Sequence, residues 1–294
     1  MKEPIDLSIV VLNWNTSELL AGALESIVST VGQLAVEVVV IDNASTDGGL
    51  DKVPQKFKDD SRFSFIQRDT NIGWAAINLM LERAQGKYIV TVDPDAIVHS
   101  GALQALYAFM EATPLAGAAT AALLNTDGTP QIYFRRIMTP SICFYTTVFG
   151  RALDKYFFNL KHFKHNRYAD LDVSRISEVE QPSWPCLIWR PVALGEYIVN
   201  KEIPFYFVDV DMSQRIYKHG YKIYIVPEAV ATHLKSTSFS RANNAWRNNE
   251  YNRSLLVYLR THYPVQLLWL GPLIFLDRGV RFVILKLTGR ELLR

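Results

Sequence analysis

Four times in the first hundred residues an apolar, β-branched run gives way to a polar cluster. Residues 7–12 (LSIVVL) end in Asn13-Trp14-Asn15-Thr16-Ser17, and residues 36–41 (VEVVVI) end in Asp42-Asn43-Ala44-Ser45-Thr46-Asp47-Gly48. The shorter run 63–67 leads to Asn71-Ile72-Gly73, and residues 88–92 (YIVTV) stop at Asp93-Pro94-Asp95. Continuous runs of this kind are strands covered on both faces. Thr16 or Ser17 can cap a following helix, with Leu19, Leu20, Leu24 and Ile27 on its inner side. The alternation predicts βα units and a parallel sheet, and such sheets bind ligands at the carboxyl ends of their strands.

The last of these ends carries the most chemistry. Asp93 and Asp95 stand two apart around a stiffening proline, so both carboxylates project from the end of one strand. Asp-Pro-Asp is also ordinary turn sequence, and the tripeptide alone leaves turn and metal site open. A pair of carboxylates costs repulsion unless a cation lies beside it, and a hard ion such as Mg²⁺ or Mn²⁺ suits oxygen ligands. The three polar ends at 13–15, 42–47 and 93–95 fall together, which favours a site. Neither a G-x-G-x-x-G turn after the first strand nor a phosphate loop ending in Gly-Lys-Ser/Thr is present, which disfavours a dinucleotide or P-loop site.

Charge is split along the chain. Residues 1–150 hold 10 Lys+Arg against 16 Asp+Glu, and residues 151–294 hold 21 against 13. The acidic half suits a metal, and the basic half suits a phosphate-bearing partner or an anionic membrane surface. The basic residues are scattered among aromatics without a nucleic-acid reading motif, so no nucleic-acid partner is expected. Cys143 and Cys186 lie far apart, and the first residues show no signal-peptide pattern, which together fit a reducing cytoplasm.

Further on, the spacing predicts a helix over 102–112, a strand over 116–124 and a turn at 125–130. The aromatic, basic segment 131–182 gives no fold. It fits an acceptor groove or a variable insertion equally. Strands follow at 183–190 and 221–226, with a helix over 212–220 ending at Gly220. Residues 239–294 carry 9 Lys+Arg against 3 Asp+Glu amid apolar stretches. Helices there suit the inner face of a membrane, or packing against the α/β part or a second subunit of a homo-oligomer. The apolar stretch 265–276 is too short to span a bilayer.

Residues 8–15 (SIVVLNWN), 38–48 (VVVIDNASTDG), Asn71-Ile72-Gly73, 87–95 (KYIVTVDPD), 209–215 (DVDMSQR) and 220–233 (GYKIYIVPEAVATH) together resemble a family 2 glycosyltransferase of the GT-A fold, in its rhamnosyltransferase-like branch. The resemblance implies an α/β catalytic domain over 1–238, with a nucleotide-binding half to about 100 and an acceptor half after it. A helical extension would occupy 239–294. It implies inverting transfer from a nucleoside-diphosphate sugar, dTDP-rhamnose or a UDP-sugar, to a saccharide or polyprenyl-diphosphate-linked acceptor in cell-surface polysaccharide or O-antigen assembly.

By the same resemblance Asp95 is the direct ligand of the metal, and Asp93 binds it through water or holds the ribose. His233 is a further ligand. Trp14, Asp42 and Asn43, with Asn13 beside them, match positions that hold base and ribose, and Asn71 and Gly73 match a loop approaching the nucleotide. Asp209 matches the general base, although Val208 stands where relatives carry Glu. Asp211 reads as a helix cap. Trp184-Pro185 replaces small residues, and Trp184 is expected to narrow the sugar pocket or stack on the acceptor. Two other readings are a sugar nucleotidyltransferase, which normally has a Gly-rich activation loop where 13–17 stands, and a catalytically inactive GT-A-like scaffold.

Overall fold

The computed structural model describes residues 4–168, 171–234 and 244–288. The four early runs become strands β1 (Ile5–Asn13), β2 (Val36–Asp42), β3 (Phe63–Gln67) and β4 (Gly86–Val92), pairing in parallel in the order β3-β2-β1-β4. Their register puts Asn13 opposite Asp42 and Asp42 opposite Gln67, so the polar ends lie level on one edge. Between them run α1 (Ser17–Thr30), the single turns α2 (Gln55–Lys58) and α3 (Met80–Arg83), and a 3₁₀ segment Gly73–Leu79.

Direction changes beyond β4. The short β5 (Ala96–Val98) and α4 (Ala102–Ala112) precede β6 (Ala116–Leu124), and after the helices α5 (Pro140–Thr146), α6 (Val148–Phe157) and α7 (Lys161–Asn166) come β7 (Ser177–Glu178) and β8 (Cys186–Trp189). β8 fits between β4 and β6, antiparallel to both. The turn α8 (Pro191–Leu194), helix α9 (Val208–Lys218) and strand β9 (Lys222–His233) follow, with β9 parallel to β6. The sheet reads β3-β2-β1-β4-β8-β6-β9-β5, with β7 on β9. This is an α/β sheet of the expected kind, with antiparallel joints in its second half.

Alternate residues of the strands feed two cores. Leu7, Ile9, Val38 and Val90 pack under α1 and α4 with Leu20, Leu24, Ile27 and Leu106. Val10, Val39, Ile41 and Ile89 pack on the other face against Ile77, Met80, Met212 and Ile216. A third cluster joins Ile203, Phe207 and Val210 to Leu255, Tyr258 and Leu259 of α10 (Asn244–His262) and to Leu270 and Ile274 of α11 (Pro264–Thr288).

Two expectations change, and the stretch without a predicted fold gains one. The helix expected over 212–220 starts four residues earlier, because Phe207 takes a left-handed φ of 60° and turns the chain directly into the helix. Residues 229–233 extend β9 past a register shift opposite Ala121 and Ala122, where the sequence suggested that the strand ended at 226. Segment 131–182 carries three helices and a short strand.

Candidate active site

The Asp-Pro-Asp stretch is a turn and a site at once. The Asp93 carbonyl accepts from Ala96 N–H at 3.0 Å, closing a four-residue turn with Pro94 in its second position. The turn sends the chain straight into β5, which pairs with the end of β9 and sets Ala96 opposite His233. Asp95 therefore meets a residue 138 positions later in sequence only because two short strand ends run side by side. Leu234 N–H donates to the Asp95 carbonyl at 2.9 Å, and His233 Nε2 lies 3.4 Å from Asp95 Oδ2.

One carboxylate oxygen of Asp93, one of Asp95 and one His233 nitrogen all lie within 4.8 Å of one another. His233 Nδ1 is 2.6 Å from Gln131 Oε1. Since that amide oxygen only accepts, Nδ1 is the donor in this bond, and Nε2 is the nitrogen that faces Asp95. Gln131 is itself fixed, donating through Nε2 to Asn125 Oδ1 at 2.9 Å and to the His233 carbonyl at 3.2 Å. This orientation through the second nitrogen is how metal-binding histidines are commonly held. Burial pushes the Asp93 carboxyl up to about 7, the Asp95 carboxylate adds to the rise, and His233 opposes it. Two carboxylates and an imidazole form a hard-to-borderline donor set, and the residues fit Mg²⁺ or Mn²⁺.

The cluster lines a cleft of about 200 Å³ together with Leu12, Trp14, Asn43, Asn71, Gly73 and Phe205. Trp14 is half-buried there, and an indole can stack on a flat ring. Asn43 holds the 71–73 loop, donating to Asn71 Oδ1 at 2.7 Å and to the Gly73 carbonyl at 3.1 Å while accepting from Ile72 N–H. Gly73 has a φ of +61°, and a Cβ there would stand 2.4 Å from the Pro204 carbonyl, so the chain entering α9 closes on this loop.

Asn13 and Asp42 do not line the cleft. Both are buried, and Asn13 Nδ2 donates to Asp42 Oδ1 at 2.7 Å. Asp42 Oδ2 accepts from Ser45 N–H at 3.0 Å and Gln67 Nε2 at 2.7 Å. Both residues sit where β1, β2 and β3 lie level, and their bonds brace those strand ends. The cap of α1 also comes from elsewhere. Asp47 accepts from Ser17 N–H and Oγ at 2.9 and 2.6 Å, whereas Thr16 makes no capping bond.

Trp184 is likewise one layer back. Its ring lies 5.0 Å from Trp74, which lines the cleft, and 5.3 Å from Trp189, so it backs the wall. Asp209, second residue of α9 and half-buried, stands outside the cleft lining, on the helix that follows the Phe205 wall. Burial raises its pKa, and the backbone N–H groups at the helix start and the Arg135 charge draw it back.

Asp211 is a structural ion pair, where the sequence suggested a cap. It is buried, with Oδ2 accepting from Arg215 Nε at 3.1 Å and Oδ1 lying 2.8 Å from His262 Nε2. Arg215 also donates to the carbonyls of Leu194, Tyr197 and Ile198. The Asp211–His262 contact pins α9, and Asp209 on it, to the end of α10. Replacing Asp211 with Ala leaves the buried guanidinium uncompensated and costs roughly 3–5 kcal/mol, a loss read from urea unfolding midpoints.

The mixed α/β sheet with its flanking helices has the GT-A class of fold. The chain matches glycosyl transferase family 2 over residues 8–173, more than half its length, and belongs to that family. It is 36% identical over 96 residues to the teichuronic acid biosynthesis glycosyltransferase TuaG of Bacillus subtilis, a match covering 32% of this chain and 38% of that protein. It is 34% identical over 106 residues to the poly(ribitol-phosphate) beta-glucosyltransferase of Bacillus spizizenii, covering 35% of this chain and 17% of the relative. The matches thus span well under two thirds of these relatives. Among solved structures, S. aureus TarS 1-349 in complex with UDP-GlcNAc aligns with a TM-score of 0.57 at 18% identity, covering 97% of this chain and 76% of that one. GalNAc-T7 with UDP, GalNAc and Mn²⁺ aligns at 0.60 and 11% identity, over 90% and 49%. At such identities the likeness is one of fold.

Proposed function

We propose that the protein is an inverting, metal-assisted glycosyltransferase that uses a nucleoside-diphosphate sugar. The observation that carries this reading is the convergence of Asp93, Asp95 and His233 in a cleft that Trp14 also lines. Trp14 stacks on the base, while Asn43 and Asn71 fix the loop along the nucleotide and Asn13 and Asp42 hold the strand ends beneath. Asp95, His233 and Asp93 are the residues that would hold the cation. A divalent ion held there neutralises charge developing on the departing diphosphate. Asp209 takes the proton of the acceptor hydroxyl as it attacks the anomeric carbon, a role its raised pKa suits.

The branch resemblance makes dTDP-rhamnose the donor, and UDP-sugars are the alternative, since the neighbours in fold were solved with UDP or UDP-GlcNAc. The acceptor is a saccharide on a lipid carrier, in assembly of a cell-surface polymer such as those named for the relatives. We assign donor binding to residues 1–100, acceptor binding to 101–238 and contact with the inner membrane face to the C-terminal helices. A nucleotidyltransferase reading is disfavoured by the absence of a Gly-rich loop at 13–17. Thermal shift and hydrolysis across UDP-, GDP- and dTDP-sugars with Mn²⁺ test the proposal. The largest response is expected from dTDP-rhamnose. A larger one from a UDP-sugar reassigns the donor, and no response to any of them rejects the transferase reading.

A further inference from the structure

Helix α11 carries its apolar residues on the outside. A helix on a water-soluble surface buries its apolar stripe and shows its charges. Here Asp277 and Arg281 turn inward with Leu270 and Ile274, and Arg281 Nε donates to Asp277 Oδ2 at 2.6 Å. The outward side presents Leu268, Phe275, Leu276, Phe282, Val283 and Leu287, with Leu268 and Phe275 exposed to 79% and 74%.

These half-buried charges hold a second element in place. Asp277 Oδ1 accepts from Val148 N–H at 2.6 Å, and Arg281 donates to the Thr146 carbonyl at 2.9 Å, so the α5–α6 junction is bonded to the middle of α11. Phe144 bridges the two in the apolar layer, with ring centroids 6.4 Å from Trp269 and 6.2 Å from Phe149. Phe149 is exposed, and Tyr156, seven residues on along α6, shares its side of the helix and is 77% exposed. Gly150 and Asp154 face the other way and are buried, Asp154 capping α7 by accepting from His162 and Phe163 N–H.

Cations accompany this surface. Residues 155–168 contain Lys155, Lys161, Lys164 and Arg167 and no acidic residue, and α11 adds Arg278 and Lys286. We infer that α6, α7 and α11 form one docking face for an anionic lipid surface, the apolar rings entering the interface and the cations meeting the headgroups. The charge argues for lipid over a second copy of the chain, because a two-fold contact would set the same cations against each other. Among the described residues no helix is long and apolar enough to cross a membrane, so the face lies on the surface. This extends the C-terminal membrane contact of the proposed function to a segment more than a hundred residues earlier, and it rests on that reading for the acceptor alone.

Flotation of the full chain with phosphatidylcholine vesicles and with equimolar phosphatidylcholine–phosphatidylglycerol vesicles tests the inference. Wild type is expected to float with the anionic vesicles only. With α11 intact, Lys161→Ala plus Lys164→Ala should lower partitioning about 25-fold, at about fivefold per cation near the surface. Phe149→Ser plus Tyr156→Ser should lower it as well. Both pairs are exposed, so unchanged melting midpoints are expected to certify the fold. Wild-type flotation by both variants, equal flotation on neutral vesicles, or concentration-dependent dimers without lipid binding would each overturn the inference. Thermal stabilisation by donor nucleotide, read in parallel, reports on the transfer reading alone.

Discussion

Asp209→Asn is expected to lower kcat by about 10²–10⁴-fold, the usual contribution of a positioned general base, while the donor KM stays near its wild-type value. Asn keeps the shape and the place at the start of α9 but cannot accept the acceptor's proton. Because burial already disfavours the charged carboxylate, the neutral amide should fold at least as well, so loss of rate cannot be blamed on loss of structure. The pH profile carries an independent signature. A base works only when deprotonated, so wild-type kcat should rise with pH through a limb lying above the ordinary carboxylate range, in the direction that burial shifts Asp209. The Asn variant should show no such limb. Arg135 opposes the shift, and its removal should move the limb further up. Wild-type turnover in Asp209→Asn would remove the residue as base and return attention to the cleft lining, from which Asp209 is absent.

The sequence made the strand ends legible because each apolar run stops at a polar cluster, and the parallel register then brings those ends level with no further information needed. It showed Asp93 and Asp95 for the same reason. It could not show what joins them to His233, since a three-residue strand pairing with a distant strand end leaves no periodic signal. Gln131 was missed on the same account. It lies in a stretch with neither helical nor alternating spacing, and only its bond to His233 Nδ1 marks it. Asn13 and Asp42 show a different limit. Polar residues at a strand end look alike in sequence whether they face the ligand or brace the strands under it. Asp211 shows it again, because a carboxylate in a helix's first turn reads as a cap until its partners, Arg215 and His262, are placed. The docking face escaped in part because α6 is short and its outward residues resemble core aromatics in sequence.

Asp95→Ala is expected to weaken nucleoside-diphosphate binding in Mn²⁺ by at least about 100-fold, the upper range for losing even an outer-shell partner of a metal ligand. In EDTA, variant and wild type should bind the nucleotide alike, since what remains is contact with Trp14 and the loop at 71–73. Titration calorimetry in the two conditions separates the cation's share from the rest. The dependence on pH sharpens the test. Asp93 holds its proton up to about 7, through burial first and the Asp95 charge second, and a cation must displace that proton. Metal affinity should therefore fall as pH drops through about 7, roughly tenfold per unit, with a proton taken up by the site on metal release. Alanine at 95 removes the second cause, so the pKa of Asp93 should fall and this pH dependence should weaken along with the affinity. A variant that keeps full Mn²⁺-dependent affinity would show that the cluster of Asp93, Asp95 and His233 does not hold the cation, and the leaving diphosphate would then have to be met by cationic side chains instead.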